Sequence, residues 1–254
     1  MAWLDDARGA LVDVDGTLLV GDEPVPGASA FLDRLRGRGL RFRLTTNTTR
    51  MSIGAVAARL RRAGIRVDAA DILAPSILAR RRILESGRSG AGFLVAAEAL
   101  VDFEGVREDI ARPDWVVVGD LGRGFTWDRL NEAFRWLRQG AGLIALQKNR
   151  YWNAGVDGWV LDAGPFVSAL EYATGVAAEV VGKPARRFFD LALAELGLPA
   201  EAVVVVGDDA ETDGAGGAAA ACRTALVRTG KYSASSGAGG FRPDLVVDSV
   251  ADLL

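Results

Sequence analysis

The stretch that decides the fold is ALVDVDGTL, residues 10–18. Ala10–Val14 read as a short, wholly apolar run broken only by Asp13, which is the pattern of a strand buried on both faces of a parallel sheet. Asp13 and Asp15 stand at its carboxyl end, and residues two apart on a strand project to the same side. Gly16 allows a sharp turn, and Thr17 follows. Ligands of open α/β sheets bind outside the carboxyl ends of the strands, so two carboxylates here can reach one ligand.

Working outward, Pro24 and Pro26 punctuate a loop, and a helix is expected from about Pro26 to Gly37–Gly39. RFRLTT (41–46) reads as a second strand. Ser52 stands where a helix N-cap belongs, with Ile53, Val56, Ala57 and Leu60 at amphipathic spacing behind it. Strand, helix, strand, helix is the opening of a parallel α/β sheet. The far end repeats the style. FFDLALAELG (188–197) is helical and stops at Gly197. VVVV (203–206) is a central strand, and an Ala/Gly-rich helix follows from about Asp213. A strand lies near Thr224–Val227, SASSGAGG (233–240) reads as a loop, and LVV (245–247) as an edge strand.

The middle has an alternation of its own. GFLVA (92–96), WVVVGD (115–120), LIALQ (143–147) and GWVLD (158–162) read as strands. TWDRLNEAFRWLRQG (126–140) reads as a helix with Trp127, Leu130, Phe134 and Leu137 on its apolar stripe, and PFVSALEYATG (165–175) as another. This is a second α/β unit, and there is no internal repeat. The expected division is a core over 1–75 and 181–254, interrupted by an inserted α/β domain over 76–180.

Composition narrows the chemistry. With 254 residues, half of them hydrophobic, six Trp and ten Phe, the chain can bury a sizeable core. A net charge of −3 does not suit a nucleic-acid partner. The arginine runs Arg59–Arg62 and Arg80–Arg82 read as solvated helix faces. The absence of histidine excludes Ser-His-Asp and Cys-His triads and histidine metal sites. The one cysteine, Cys222, reads as a small buried residue. No apolar run approaches the roughly 20 residues needed to span a bilayer, and the first residues carry too many charges for a signal peptide. A soluble, cytoplasmic protein is expected, with no membrane partner.

Four elements carry chemistry. A carboxylate such as Asp13 can attack phosphorus and form an aspartyl phosphate. A second, such as Asp15, can protonate the leaving oxygen and later deprotonate water. Thr46 and Asn47, at the end of the second strand, can donate to phosphate oxygens, although Thr-Asn is equally a turn sequence. Lys183, in GKP (182–184), can neutralise charge, although a lysine before a helix is ordinary. GDDAETD (207–213) supplies Asp208, Asp209 and Asp213, whose mutual repulsion a hard cation such as magnesium would relieve.

In this order on one parallel sheet, DVDGTL, Thr46-Asn47, GKP and GDDAETD resemble the haloacid dehalogenase (HAD) superfamily of phosphohydrolases. The resemblance implies a Rossmann-like core, Asp13 as nucleophile and Asp15 as general acid/base. It implies a phosphoryl group held by Thr46, Asn47 and Lys183. It places Mg2+ on Asp13, Asp208 and the backbone carbonyl of Asp15, with Asp209 and Asp213 beside it. Only about ten residues separate Asp15 from the first helix, whereas 136 lie between Thr46 and Lys183. That spacing is similar to subfamily IIA, the NagD-like group, whose large α/β cap sits at the second insertion point. NTT (47–49), RYW (150–152), GPFVSALEY (164–172), EVVGKP (179–184) and VRTGKY (227–232) are most similar to one branch. It holds phospholysine phosphohistidine inorganic pyrophosphate phosphatase and the haloacid dehalogenase-like hydrolase domain-containing proteins. Better-known members of that branch carry Ser or Asn where this chain keeps Asp15.

The resemblance implies a small phosphorylated metabolite or pyrophosphate as substrate, and a homodimer through the cap. In the cap, Arg150 can bind an anionic substrate tail, and Tyr151 and Trp152 either stack on a ring or pack the cap's own core. Asn149 and the turn Asp162, Ala163, Gly164, Pro165 are the other candidate contacts. A phosphotransferase or mutase, and a non-catalytic phosphate-binding regulatory module, are the competing functions. The first is disfavoured by the cap. The second would be about half this length and lack the insertion.

Overall fold

The computed structural model describes residues 6–153, 158–232 and 241–253. The tract 233–240, expected to be a loop, lies outside them. In chain order, the strands are β1 (Gly9–Asp13), β2 (Leu19–Val20), β3 (Glu23–Pro24), β4 (Arg41–Thr45), β5 (Ile72–Leu73), β6 (Gly90–Leu94), β7 (Arg107–Glu108), β8 (Trp115–Val118), β9 (Gly142–Ala145), β10 (Tyr151–Asn153), β11 (Trp159–Leu161), β12 (Glu179–Val180), β13 (Val203–Gly207), β14 (Arg223–Val227) and β15 (Leu245–Val247). The helices are α1 (Ala28–Gly37), α2 (Ile53–Arg62), α3 (Pro75–Glu85), α4 (Trp127–Arg138), α5 (Ala163–Thr174), α6 (Arg186–Leu196) and α7 (Gly216–Ala219). They form two compact units. One comprises 1–46, 53–73 and 183–254, and the other 47–52 and 74–182.

The first unit is built on a six-stranded sheet in the order β15-β14-β13-β1-β4-β5, every pair parallel. All five residues of β1 and of β13 are buried, as their unbroken apolar runs require. The chain leaves β1 to one side for β4 and returns on the other side as β13, so the strand order reverses beside β1. That is the switch point at which such sheets bind ligands. Register then aligns the chemistry. Val12 pairs with Val206, and Asp13 with Thr45. The residues that follow the apolar runs of β13, β1 and β4 therefore emerge at one level.

Helix α2 buries Val56, Ala57 and Leu60, as its spacing predicts. Helix α6 buries Phe188, Phe189, Ala192 and Leu196 and ends on Gly197, whose φ of 62° a residue without a Cβ adopts at least cost. The helix expected from Asp213 is shorter than its composition suggests. A π-helical turn, Ala210–Ala215, comes first, and α7 holds only four residues. Cys222 is buried, and burial pushes its thiol up to about 11.

The second unit has its own parallel sheet, β12-β9-β8-β6-β7, and its own core. Leu94, Val116, Val118, Ala133, Trp136, Leu137 and Leu143 lie at its centre. One expectation needs correction here. Trp127 shares the apolar stripe of α4 in the sequence but is 73% exposed. It is the first residue of the helix, and helical side chains lean toward the N-terminus, so this one leans past the packed face. GWVLD forms the expected strand, and among the described residues β11 pairs with β10 alone, as an antiparallel hairpin. Alternation marks a strand but does not say which sheet it joins.

The arginine runs are also not simple solvated faces. Arg82 binds Glu179 at 3.0 Å and lies over the Trp115 ring at 4.7 Å, and Arg59, in the first unit, is only 14% exposed. Such side chains bury their stems and spend the charged head on a specific partner. Among the described residues no helix is long and apolar enough to cross a membrane.

Phe188→Ala should cost about 3–5 kcal/mol of unfolding free energy, because the ring is wholly buried and packs edge-on to Phe189 at 5.8 Å. Urea denaturation of the two proteins measures this. A loss below about 1 kcal/mol would mean the site collapses around the gap.

Candidate active site

Asp13, the last residue of β1, is 5% exposed. Its Oδ1 accepts a hydrogen bond from Lys183 Nζ at 2.7 Å, and its Oδ2 one from Thr17 Oγ1 at 3.3 Å. Lys183, only 3% exposed, also donates to Asp213 Oδ1 at 2.6 Å and to Thr45 Oγ1 at 3.5 Å. One ammonium thus bridges the ends of β1 and β4 and the helical turn after β13. Desolvation alone would lower its pKa. The two carboxylates outweigh that and hold its pKa above the ordinary lysine value.

Asp208, just past β13, completes the cluster. Carboxylate oxygens of Asp13, Asp208 and Asp213 lie within 4.8 Å of one another, and all three residues are buried. Glycines make room for it. Gly16 turns at φ 91°, and a Cβ there, or on Gly230, would collide with the Asp208 carboxylate. The backbone N–H of Lys231 donates to Asp208 Oδ2 at 2.6 Å, and Thr229 Oγ1 donates to the Gly16 carbonyl.

The electrostatics follow from burial. Burial pushes Asp13 well above the usual carboxylate range, against the pull of Lys183, and raises Asp213 too. Burial and the neighbouring Asp213 push Asp208 up to about 6. With all three ionised, three carboxylates face one ammonium and the cluster carries a formal charge of −2. The donors are hard oxygens, the charge matches a divalent cation, and the spacing lets one ion touch all three. The residues fit such an ion.

The other candidates lie as follows. Thr46 is buried, and its Oγ1 donates to Asp15 Oδ2 at 3.4 Å. The Asp15 carboxylate is not in the acidic cluster. Its Oδ1 is held by Arg59 Nη1 at 2.7 Å. Asp209 turns to cap the π-helical turn, accepting from Glu211 N at 2.9 Å and Thr212 N at 3.0 Å. These amides and Lys231 keep its pKa low in spite of burial. Asn47 belongs to the second unit, where its Oδ1 lies 2.9 Å from the place a Cβ on Gly182 would occupy.

In that unit Asp162 caps α5 through Ala163 N at 2.7 Å and accepts from Gln147 Nε2, and burial raises its pKa. Gly164 lies against the Lys148 and Asn149 carbonyls, with no room for a Cβ. Tyr151 does not fill a core. It is 54% exposed, meets Trp159 edge-on at 5.3 Å and has Arg150 over its ring at 5.7 Å.

Comparison with known proteins gives the same answer from whole-chain likeness. The chain is 42% identical over 235 residues to haloacid dehalogenase-like hydrolase domain-containing protein 2 of Homo sapiens, covering 92% of this chain and 89% of that one. The chain belongs to the haloacid dehalogenase-like hydrolases. The family so described matches residues 10–104, and the HAD-hydrolase-like family matches 180–253. Phospholysine phosphohistidine inorganic pyrophosphate phosphatase of Bos taurus is 34% identical over 262 residues, covering 100% of this chain and 94% of its own. The crystal structure of 4-nitrophenylphosphatase from Thermotoga maritima superposes with a TM-score of 0.91 at 29% identity, over 98% of this chain and 97% of that one. This chain is a NagD-like phosphatase of HAD subfamily IIA.

For a HAD phosphatase, reading the sequence missed two groups. Thr45, one residue before the predicted Thr46, is the hydroxyl beside Lys183. Alternation along β4 offered no way to rank the two. Arg59 was submerged in an arginine run, because its partners lie 37 and 44 residues away. VRTGKY carries no role legible in the sequence, and the wrap of Gly230 and Lys231 around Asp208 supplies one.

The raised pKa of Asp208 has a signed consequence. The folded, metal-free state binds more protons than the unfolded one between pH ~4, the ordinary aspartate value, and about 6, so its stability falls as pH rises through that window. A divalent cation binds the ionised form and should raise the melting temperature more at pH 7 than at pH 4.5, and much less in Asp208→Asn. Thermal scans with and without the ion test this. Equal increments at both pH values would place the ion elsewhere.

Proposed function

We propose that this phosphatase is Mg2+-dependent and acts on a small phosphorylated metabolite or on pyrophosphate through an aspartyl phosphate on Asp13. The observation that carries the reading is the Asp13 carboxylate at the sheet's switch point, oriented by Lys183 and grouped with Asp208 and Asp213.

In this reading Asp13 attacks phosphorus in line, and the bond from phosphorus to the leaving oxygen breaks. Asp15 delivers a proton to that oxygen. Water then attacks the phosphoryl group and gives its proton to Asp15. The bond from phosphorus to Asp13 breaks, and inorganic phosphate leaves. Thr46 and Asn47 donate to phosphoryl oxygens, and Lys183 offsets charge on Asp13 and the phosphoryl group. Asp13, Asp208 and the Asp15 backbone carbonyl would hold the metal, with Asp213 beside them and Asp209 outside. A bound magnesium ion would supply charge compensation between the carboxylates and the phosphoryl oxygens. Residues 76–180 act as a cap that supplies substrate contacts. Arg150 and the exposed Tyr151 are its candidate contacts, and the cap is also the proposed homodimer surface. The inserted unit argues against a bare regulatory module, and the intact set of Asp13, Lys183 and Asp208 argues against a degenerate one.

The test is phosphate release from 4-nitrophenyl phosphate. Activity should require Mg2+ and fall at least about a thousandfold in Asp13→Asn. Enzyme quenched during turnover of 32P-labelled substrate should carry a hydroxylamine-sensitive label that Asp13→Asn lacks. Full activity in that variant, or a label surviving in it, would overturn the nucleophile assignment. A panel of phosphorylated metabolites, including pyrophosphate and phospholysine, then fixes the substrate class.

A further inference from the structure

Arg59 makes a three-point contact that the proposed chemistry does not use. It stands on α2, flanking the buried face formed by Val56, Ala57 and Leu60. Its guanidinium donates from Nη1 to Asp15 Oδ1 at 2.7 Å, from Nε to Asp22 Oδ1 at 2.8 Å, and from Nη2 to the Gly21 carbonyl. Gly21 and Asp22 form the turn between β2 and β3. Asp15 and Asp22 are themselves 47% and 87% exposed, whereas the arginine is 14% exposed. A surface ion pair between two mobile side chains is worth little. A partly desolvated guanidinium with its planar fork engaged on three acceptors is a more rigid device.

The contact also distinguishes the two oxygens of Asp15. Oδ1 is tied to Arg59. Oδ2 lies 3.4 Å from the Thr46 hydroxyl, so it faces the end of β4, where the phosphoryl group is expected. We infer that Arg59 is the positioning residue of Asp15. It fixes the carboxyl through Oδ1, leaves Oδ2 as the oxygen that exchanges a proton with leaving group and water, and ties that rotamer to the β2–β3 turn. A carboxyl free to rotate about two side-chain bonds would lose much of the orientation that makes proton transfer effective.

The inference rests on the acid role proposed for Asp15, so the experiment separates the two. The measurement is kcat/KM across a series of ring-substituted phenyl phosphates, which varies the leaving group at nearly constant shape. Poor leaving groups need the proton, whereas 4-nitrophenolate hardly does. Arg59→Gln should lose at least about tenfold more on phenyl phosphate than on 4-nitrophenyl phosphate, a part of the 10²–10⁴ range of general acids. Arg59→Lys, which keeps the charge but not the fork, should lie between Arg59→Gln and the parent. In an Asp15→Asn background Arg59→Gln should add no further selectivity. The ratio between two substrates does not depend on how much enzyme is folded, so partial unfolding cannot mimic the result. An equal loss on all substrates would make Arg59 merely structural and overturn the inference. If Asp15→Asn itself leaves the leaving-group dependence unchanged, the acid role fails and the inference fails with it. If Asp15→Asn steepens the dependence and Arg59→Gln does not, only the inference fails.

Discussion

The Lys183 ammonium, buried and shared by Asp13 and Asp213, is the interaction on which the site depends. It binds the end of the first strand to a helical turn some two hundred residues later. A buried ion pair is weak evidence for stability, because desolvation of the charges offsets most of their attraction. Its value here is geometric. The pair sets where the Asp13 carboxylate points, and it lets three acids approach within a single ion's reach without all of their charge being exposed to one another. Remove the lysine, and Asp13 and Asp213 become two uncompensated carboxylates in an apolar setting, with no reason to keep their places.

Around that contact the rest is steric. Gly16 and Gly230 leave Asp208 a slot closed to any Cβ, and the Lys231 amide holds the carboxylate in it. Asp208 is therefore placed by backbone, and Asp13 and Asp213 by the shared ammonium. The site is prepared for charge before any ligand arrives, which is the condition under which fixed dipoles and charges act most strongly.

Much of the fold was legible because its cues are local. The apolar runs Ala10–Val12 and Val203–Val206 announce central strands, Gly197 announces a helix end, and the register of a parallel sheet then brings Asp13, Thr46 and Asp208 to one edge. What stayed hidden depends on partners far along the chain. Arg59 looks like any arginine of its run until Asp15 and Asp22 fold against it. Asp209 and Asp213 are indistinguishable in GDDAETD. Only the helical turn decides that Asp213 faces Lys183 while Asp209 caps backbone amides. The same holds for Trp127 and β11, where periodicity found the element but not its neighbours.

The strand order has a further consequence, for how the chain assembles. β1 lies between β4, which follows after one helix, and β13, whose Val203 pairs with Gly9. During synthesis one edge of β1 stays open until Val203–Val206 have emerged, while the inserted unit, with its own sheet and core, can complete itself first. Non-local pairing of this kind is slow, and a waiting apolar edge is a template for wrong partners. The stretch that brings in Asp208 and Asp213 is therefore also the one that covers the open apolar edge of β1.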